Sequence, residues 1–102
     1  MPLIAQKHIE ITPGIVSGKP RIAGRRITVQ NIAIWHERMG KSADEISAEY
    51  DLSLAEIYAA LSYYFDHLAE IDESIRESEA FVEEMKKKNN SVLAQKLAQL
   101  SE

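Results

Sequence analysis

The stretch Ser42-Ala-Asp-Glu-Ile-Ser-Ala-Glu-Tyr-Asp-Leu-Ser-Leu-Ala-Glu56 carries the same local signal twice, in two blocks eleven residues apart. Ser42 with Glu45, and Ser53 with Glu56, are capping boxes. The serine oxygen accepts from the amide three residues on, while the glutamate reaches back to the serine's own amide. Each box opens a helix, a short one to about Tyr50 and a longer one to about Phe65. Only Asp51-Leu52-Ser53 separates them, which describes a helix-turn-helix. Ile46, Tyr50, Leu52 and Ile57 stand where such a pair places its packing residues. Ser47, where a small Ala is usual, and Asp51, where Gly is usual, depart from the pattern.

Upstream, Thr28 is a helix cap and Gly40 a left-handed stop, which predicts a first helix from Val29 to about Met39. Val29, Ile32, Ala33, Trp35, His36 and Met39 share its apolar face, and Ile34 falls among the polar residues. Before it runs a ribbon, Ile11 to Val29, with three glycines, two prolines and four basic residues in nineteen positions. His8–Thr12 alternates enough for a short strand. Pro13-Gly14, Gly18-Lys-Pro20 and Gly24 punctuate the rest into one small twisted hairpin.

Downstream, an amphipathic helix starts at Asp66 or Asp72. Ile71, Ile75, Val82 and Met85 keep roughly heptad spacing, with Phe81 beside them. Asn89-Asn-Ser91 reads as a break, and Leu93, Leu97 and Leu100 as a second short seam. The expected architecture is mainly α: a small N-terminal β-hairpin, a tri-helical helix-turn-helix-like core, and a long C-terminal amphipathic helix. Residues 1–67 form the hairpin and core, and residues 68–102 a helical tail for oligomerisation or partner binding, within a single domain.

Composition limits the function classes. The chain has 102 residues, 45% of them hydrophobic, no cysteine and a net charge of −4. Disulfides and thiolate metal sites are excluded, and no apolar run reaches membrane-spanning length. Met1-Pro-Leu-Ile-Ala is too short for a secretory leader, so the expected place is the cytoplasm. Residues 1–41 carry +5 and residues 42–102 carry −9, a polarity that suggests two surfaces with different partners.

Chemistry-bearing patterns are sparse. His8, His36 and His67 lack ligand spacing, and the carboxylate pairs fall on consecutive helix positions, which point apart. Gly14-Ile-Val-Ser-Gly18-Lys19-Pro20 is one residue short of a phosphate loop and has Pro20 in place of the hydroxyl residue. No enzyme, cofactor or metal site is expected. In the second helix of the pair, Leu54, Ile57, Tyr58, Leu61 and Phe65 are expected to face the core. The outward face would hold Ala55, Glu56, Ala59, Ser62, Tyr63 and Asp66. It has no Lys or Arg to meet phosphates. Ala55, Ala59 and Tyr63 suit close packing on protein instead. Lys19, Arg21, Arg25 and Arg26 of the ribbon are the candidates for any nucleic-acid contact, with internal pairing as the competing reading.

Gly18-Lys-Pro-Arg-Ile-Ala-Gly24, Arg26-Ile-Thr-Val29, Asp44-Glu-Ile46, Tyr50-Asp-Leu-Ser-Leu-Ala-Glu-Ile-Tyr-Ala-Ala-Leu61 and Tyr63-Tyr-Phe-Asp-His67 together resemble the domain-of-unknown-function family 433 over about residues 8–75. Ser17, Arg25 and Leu68 depart from its usual Gly, Thr and Pro. The resemblance implies a helix-turn-helix, homeodomain-like fold. Members often resemble VapB-type antitoxins encoded beside a PIN-like ribonuclease toxin. That implies neutralising the toxin and binding operator DNA of the chain's own promoter.

The expected function is therefore an antitoxin of a type II pair. Its tail would reach the toxin through Ile71, Ile75, Phe81, Val82 and Met85, with Arg76, Lys86–Lys88 and Lys96 as the candidate cations for an acidic active site. The alternative is a protein-binding adaptor or homodimer, joined through the tail and the Ala55/Ala59/Tyr63 face, with no nucleic-acid role.

Overall fold

The structure is a computed structural model that describes the backbone of residues 3–100 and the side chains of residues 7–89. It opens with a three-stranded antiparallel sheet, β1 (Leu3–Gln6), β2 (Ile9–Ile11) and β3 (Arg21–Ile22), in the order β1-β2-β3. The expected hairpin thus gains a further strand at residues 3–6, too short for alternation to reveal. Ile9 pairs with Ile22 and Glu10 with Arg21 across β2 and β3. Between these strands, Val16–Gly18 forms a single tight turn. Val16 (φ 44°) and Ser17 (φ 59°) are left-handed there, a costly state for side chains with a Cβ. A second tight turn follows β3, with Ile22 N donating to Ile27 O at 2.8 Å.

Helix α1 (Val29–Ala33) starts at Thr28, whose hydroxyl accepts from Asn31 N at 3.0 Å while Asn31 Oδ1 accepts from Thr28 N. It does not run on as a regular helix to Met39. Ile34–Arg38 widens into a π-turn, closed by Met39 N to Ile34 O (2.9 Å) and Lys41 N to Trp35 O (3.0 Å), with Gly40 at φ 73°. The extra residue in that turn shifts the side chains that follow, so the apolar face holds only at its start. Val29, Ile32 and Ala33 are buried, Trp35 and His36 are half-buried, and Met39 is exposed.

Helices α2 (Ala43–Tyr50) and α3 (Leu54–Asp66) match the capping-box reading, and both boxes are formed. The two departures from the motif have physical explanations. Asp51 takes the left-handed C-cap position at φ 54°, and Ser47 Oγ donates to Leu52 O at 2.6 Å, tying the turn to the helix before it. His67 ends α3, and α4 runs from Leu68 to Leu100 without a break at Asn89-Asn90-Ser91. Asn and Ser cost a helix only about 0.5 kcal/mol each, and no Gly or Pro stands there to stop it.

The core gathers Ile9 and Ile22 from the sheet, Val29 and Ile32 from α1, Ile46 from α2, Leu52 from the turn, and Ile57, Ala60, Leu61 and Tyr64 from α3. The chain divides into two compact units, residues 1–71 and 72–102. The first therefore takes in the sheet, α1 to α3 and the opening turn of α4.

Candidate protein-binding surface

Two of the ribbon's four cations, Arg21 and Arg25, are engaged within the fold. Arg21 is 7% exposed. Its guanidinium donates to Arg25 O (2.8 Å), Glu10 Oε2 (3.2 Å) and Thr12 Oγ1 (3.2 Å). The cross-strand register of Glu10 and Arg21 puts this ion pair at the sheet's surface-to-core boundary. Arg25 spans to the other motif, donating to Tyr50 O (2.7 Å) and Asp51 O (3.0 Å). These are carbonyls at the end of α2, where a cation also opposes the helix dipole. Arg21 and Arg25 are thus corrected from nucleic-acid candidates to structural residues. Arg26 is exposed and Lys19 half-buried.

Helix α3 faces the core on a different side from the one expected. Ile57, Ala60, Leu61 and Tyr64 are buried, whereas Leu54, Tyr58 and Phe65 are 42%, 57% and 56% exposed. The helix packs mainly on α1. Ala60 is fully buried, and its small side chain fits a close-packed position that a Tyr or Phe would overfill. Leu54, Tyr58, Leu61 and Phe65 follow a four-three-four spacing. This apolar stripe lies beside the core face with only Leu61 covered. Sequence reasoning missed it as a surface: α3 is apolar over too wide an arc for periodicity to choose the buried side.

The predicted partner residues on α3 divide. Ala55 is exposed and Ala59 half-buried. The Tyr63 ring stacks on His67 (centroids 4.0 Å apart), and His67 Nδ1 lies 3.0 Å from Tyr63 O. Burial, reinforced by the Glu70 carboxylate, pushes the Tyr63 hydroxyl pKa above its ordinary value. Trp35 and Tyr50 also stack face to face at 3.9 Å, with Lys41 Nζ 5.9 Å from the Tyr50 ring centroid. The hydrogen bond to Glu49 (2.7 Å) raises the Lys41 pKa.

On α4 the heptad stripe also divides. Ile71 and Ile75 are 7% and 0% exposed, so these two are corrected from partner contacts to buried residues of the chain itself. Along the stripe, burial ends after Ile75. Phe81, Val82 and Met85 are 65%, 48% and 42% exposed. Arg76 is exposed and pairs with Glu73 one turn back, which raises its pKa. The seam at Leu93, Leu97 and Leu100 lies on helical backbone, outside the described side chains. Among the described residues, no cluster of His, Asp and Glu has metal-holding geometry, and no helix is long and apolar enough to cross a membrane.

Residues 9–64 match the family described as "Protein of unknown function (DUF433)". The chain belongs to this family. A solved relative, the crystal structure of a DUF433 member from Anabaena variabilis ATCC 29413, is 34% identical with a TM-score of 0.63 and covers 69% of each chain. No curated protein matches the chain. The matched segment of this DUF433 protein runs from β2 to Tyr64, so it contains both arginine contacts and nearly all of α3.

Proposed function

We infer that this DUF433 chain is a non-catalytic, protein-binding regulatory module of the antitoxin kind, and that α3 carries its principal partner contact. One observation supports this above others: Leu54, Tyr58 and Phe65 stand exposed along one stripe of a helix that is capped at Ser53. Large aromatic anchors on a rigid helix are the groups that dominate protein–protein binding energy. A helix reading DNA would need cations for the phosphates, and α3 has none from Leu54 to Asp66. The family resemblance supplies the partner, a PIN-like ribonuclease toxin met in the cytoplasm. Contact with promoter DNA is a secondary part of this reading and falls to Lys19 and Arg26, since Arg21 and Arg25 are engaged internally.

Co-expression with the product of the adjacent gene tests the reading. The wild-type chain is expected to co-purify with it, and Tyr58→Lys to lose it while remaining folded. Retention of the partner by Tyr58→Lys at full yield would remove α3 from the account. A gel shift on upstream DNA, repeated at two salt concentrations, tests the secondary contact. Replacing Lys19 and Arg26 with Ala should weaken any shift and flatten its salt dependence.

A further inference from the structure

Beyond Ser78, α4 has an apolar face, exposed over its described length, whose flanking charges specify what covers it. Ser78, Val82, Met85 and Asn89 follow the four-three-four spacing of the inward positions of a coiled coil, with Val82 and Met85 half open to solvent. The positions flanking this seam are Glu79 and Lys86 on one side, Phe81 and Lys88 on the other. All four are exposed. Charge is segregated along the helix: Glu77, Glu79, Glu83 and Glu84 come before Met85, and Lys86, Lys87 and Lys88 after it.

We propose that this segment of α4 pairs antiparallel with the same segment of a second copy of the chain. The pairing centres between Val82 and Met85. In that arrangement Val82 of each copy meets Met85 of the other, and Ser78 meets Asn89. On one flank Glu79 faces Lys86 of the second copy, and by symmetry the contact occurs twice. On the other flank the Phe81 ring lies along the stem of Lys88 of the second copy, also twice. Reversing the direction of one helix spoils both flanks. In a parallel pair the contacts join Glu79 to Ser74, and Lys86 to Phe81, and no ion pair forms. The flanking charges therefore fix direction and register, while burial of Val82, Met85 and Phe81 supplies the attraction, since exposed ion pairs contribute little by themselves. A single helix extending this far gains little stability alone, which a second helix along its open face corrects.

This pairing is independent of α3, and a dimer joined through α4 would present two α3 stripes. Sedimentation equilibrium of the full chain across micromolar concentrations tests it. The wild type is expected to dimerise, more weakly at high salt. Lys86→Glu places like charges opposite Glu79 and should raise the dissociation constant by about tenfold or more. Adding Glu79→Lys to Lys86→Glu should restore dimerisation, because the exchanged pair is again complementary. The chain lacks cysteine, so direction can be read by oxidation. Ser78→Cys with Asn89→Cys should crosslink as a dimer, and Asn89→Cys alone should not. A monomer at all concentrations, a dimer indifferent to Lys86→Glu, failure of the charge exchange to restore it, or efficient crosslinking through Asn89→Cys alone would each overturn the proposal. Tyr58→Lys should leave the dimer intact, so loss of partner binding and loss of self-pairing are separable results.

Discussion

Arg21 and Arg25 show how far a charged residue's role depends on what its backbone neighbours leave unsatisfied. Arg25 supplies two hydrogen bonds to carbonyls at the end of α2, and Arg21 neutralises Glu10 at the sheet. Arg25→Ala is expected to lower stability by about 1–3 kcal/mol, read as a lower urea midpoint. Arg21→Met, which strands the Glu10 carboxylate, should cost about 3 kcal/mol. A surface phosphate contact would show neither loss. Ser17 makes the opposite case. Its φ of 59° favours glycine, so Ser17→Gly should raise stability by roughly 1 kcal/mol in the same assay. Tyr63 gives a pH signature. Its raised pKa means the folded state resists ionisation, so this tyrosine contributes no pH dependence near neutrality and lowers stability as pH rises past about 10. Ultraviolet titration against Tyr63→Phe should show it ionising later than a free tyrosine. From sequence alone the arginines were a cluster on a constrained ribbon, with phosphate contact and internal pairing both open. The register of β2 with β3, and the reach from Arg25 to α2, decide between those readings, and neither is a local property of the sequence.

At the scale of elements, the strongest sequence signals were those whose physics is local. The two capping boxes put α2 and α3 within a residue of where they form, because each box involves only four consecutive residues. The π-turn after Ala33 was not legible, since nothing in Ile34-Trp-His-Glu-Arg38 distinguishes a five-residue turn from a regular one. The buried side of α3 was not legible either, because its selection depends on packing against elements distant in sequence, chiefly α1. That selection has a mechanical consequence. Tyr58→Lys should change stability by no more than about 0.5 kcal/mol, as for a surface residue, whereas Ala60→Leu should cost about 1–3 kcal/mol by overpacking. Thermal melts of the two variants compare them directly. If Tyr58→Lys unfolded the protein, the core would lie where the sequence alone had placed it.

Across the whole molecule, the opposition of a basic N-terminal part and an acidic C-terminal part was plain from composition, but its meaning was not. Much of the positive charge in residues 1–41 serves internal contacts: Arg21 with Glu10, Arg25 with carbonyls of the α2 end, Lys41 with Glu49. Among its exposed large apolar residues are Leu54, Tyr58 and Phe65 on α3 and Phe81, Val82 and Met85 on α4. The proposed partner surface is therefore α3 rather than the ribbon. Calorimetric titration of the adjacent-gene product with Tyr58→Lys and Arg26→Ala, each against wild type, separates the two most directly. The expected result is at least about a thirtyfold loss of affinity for Tyr58→Lys, as for an aromatic anchor buried on binding, and little change for Arg26→Ala. The reverse order of losses would contradict it.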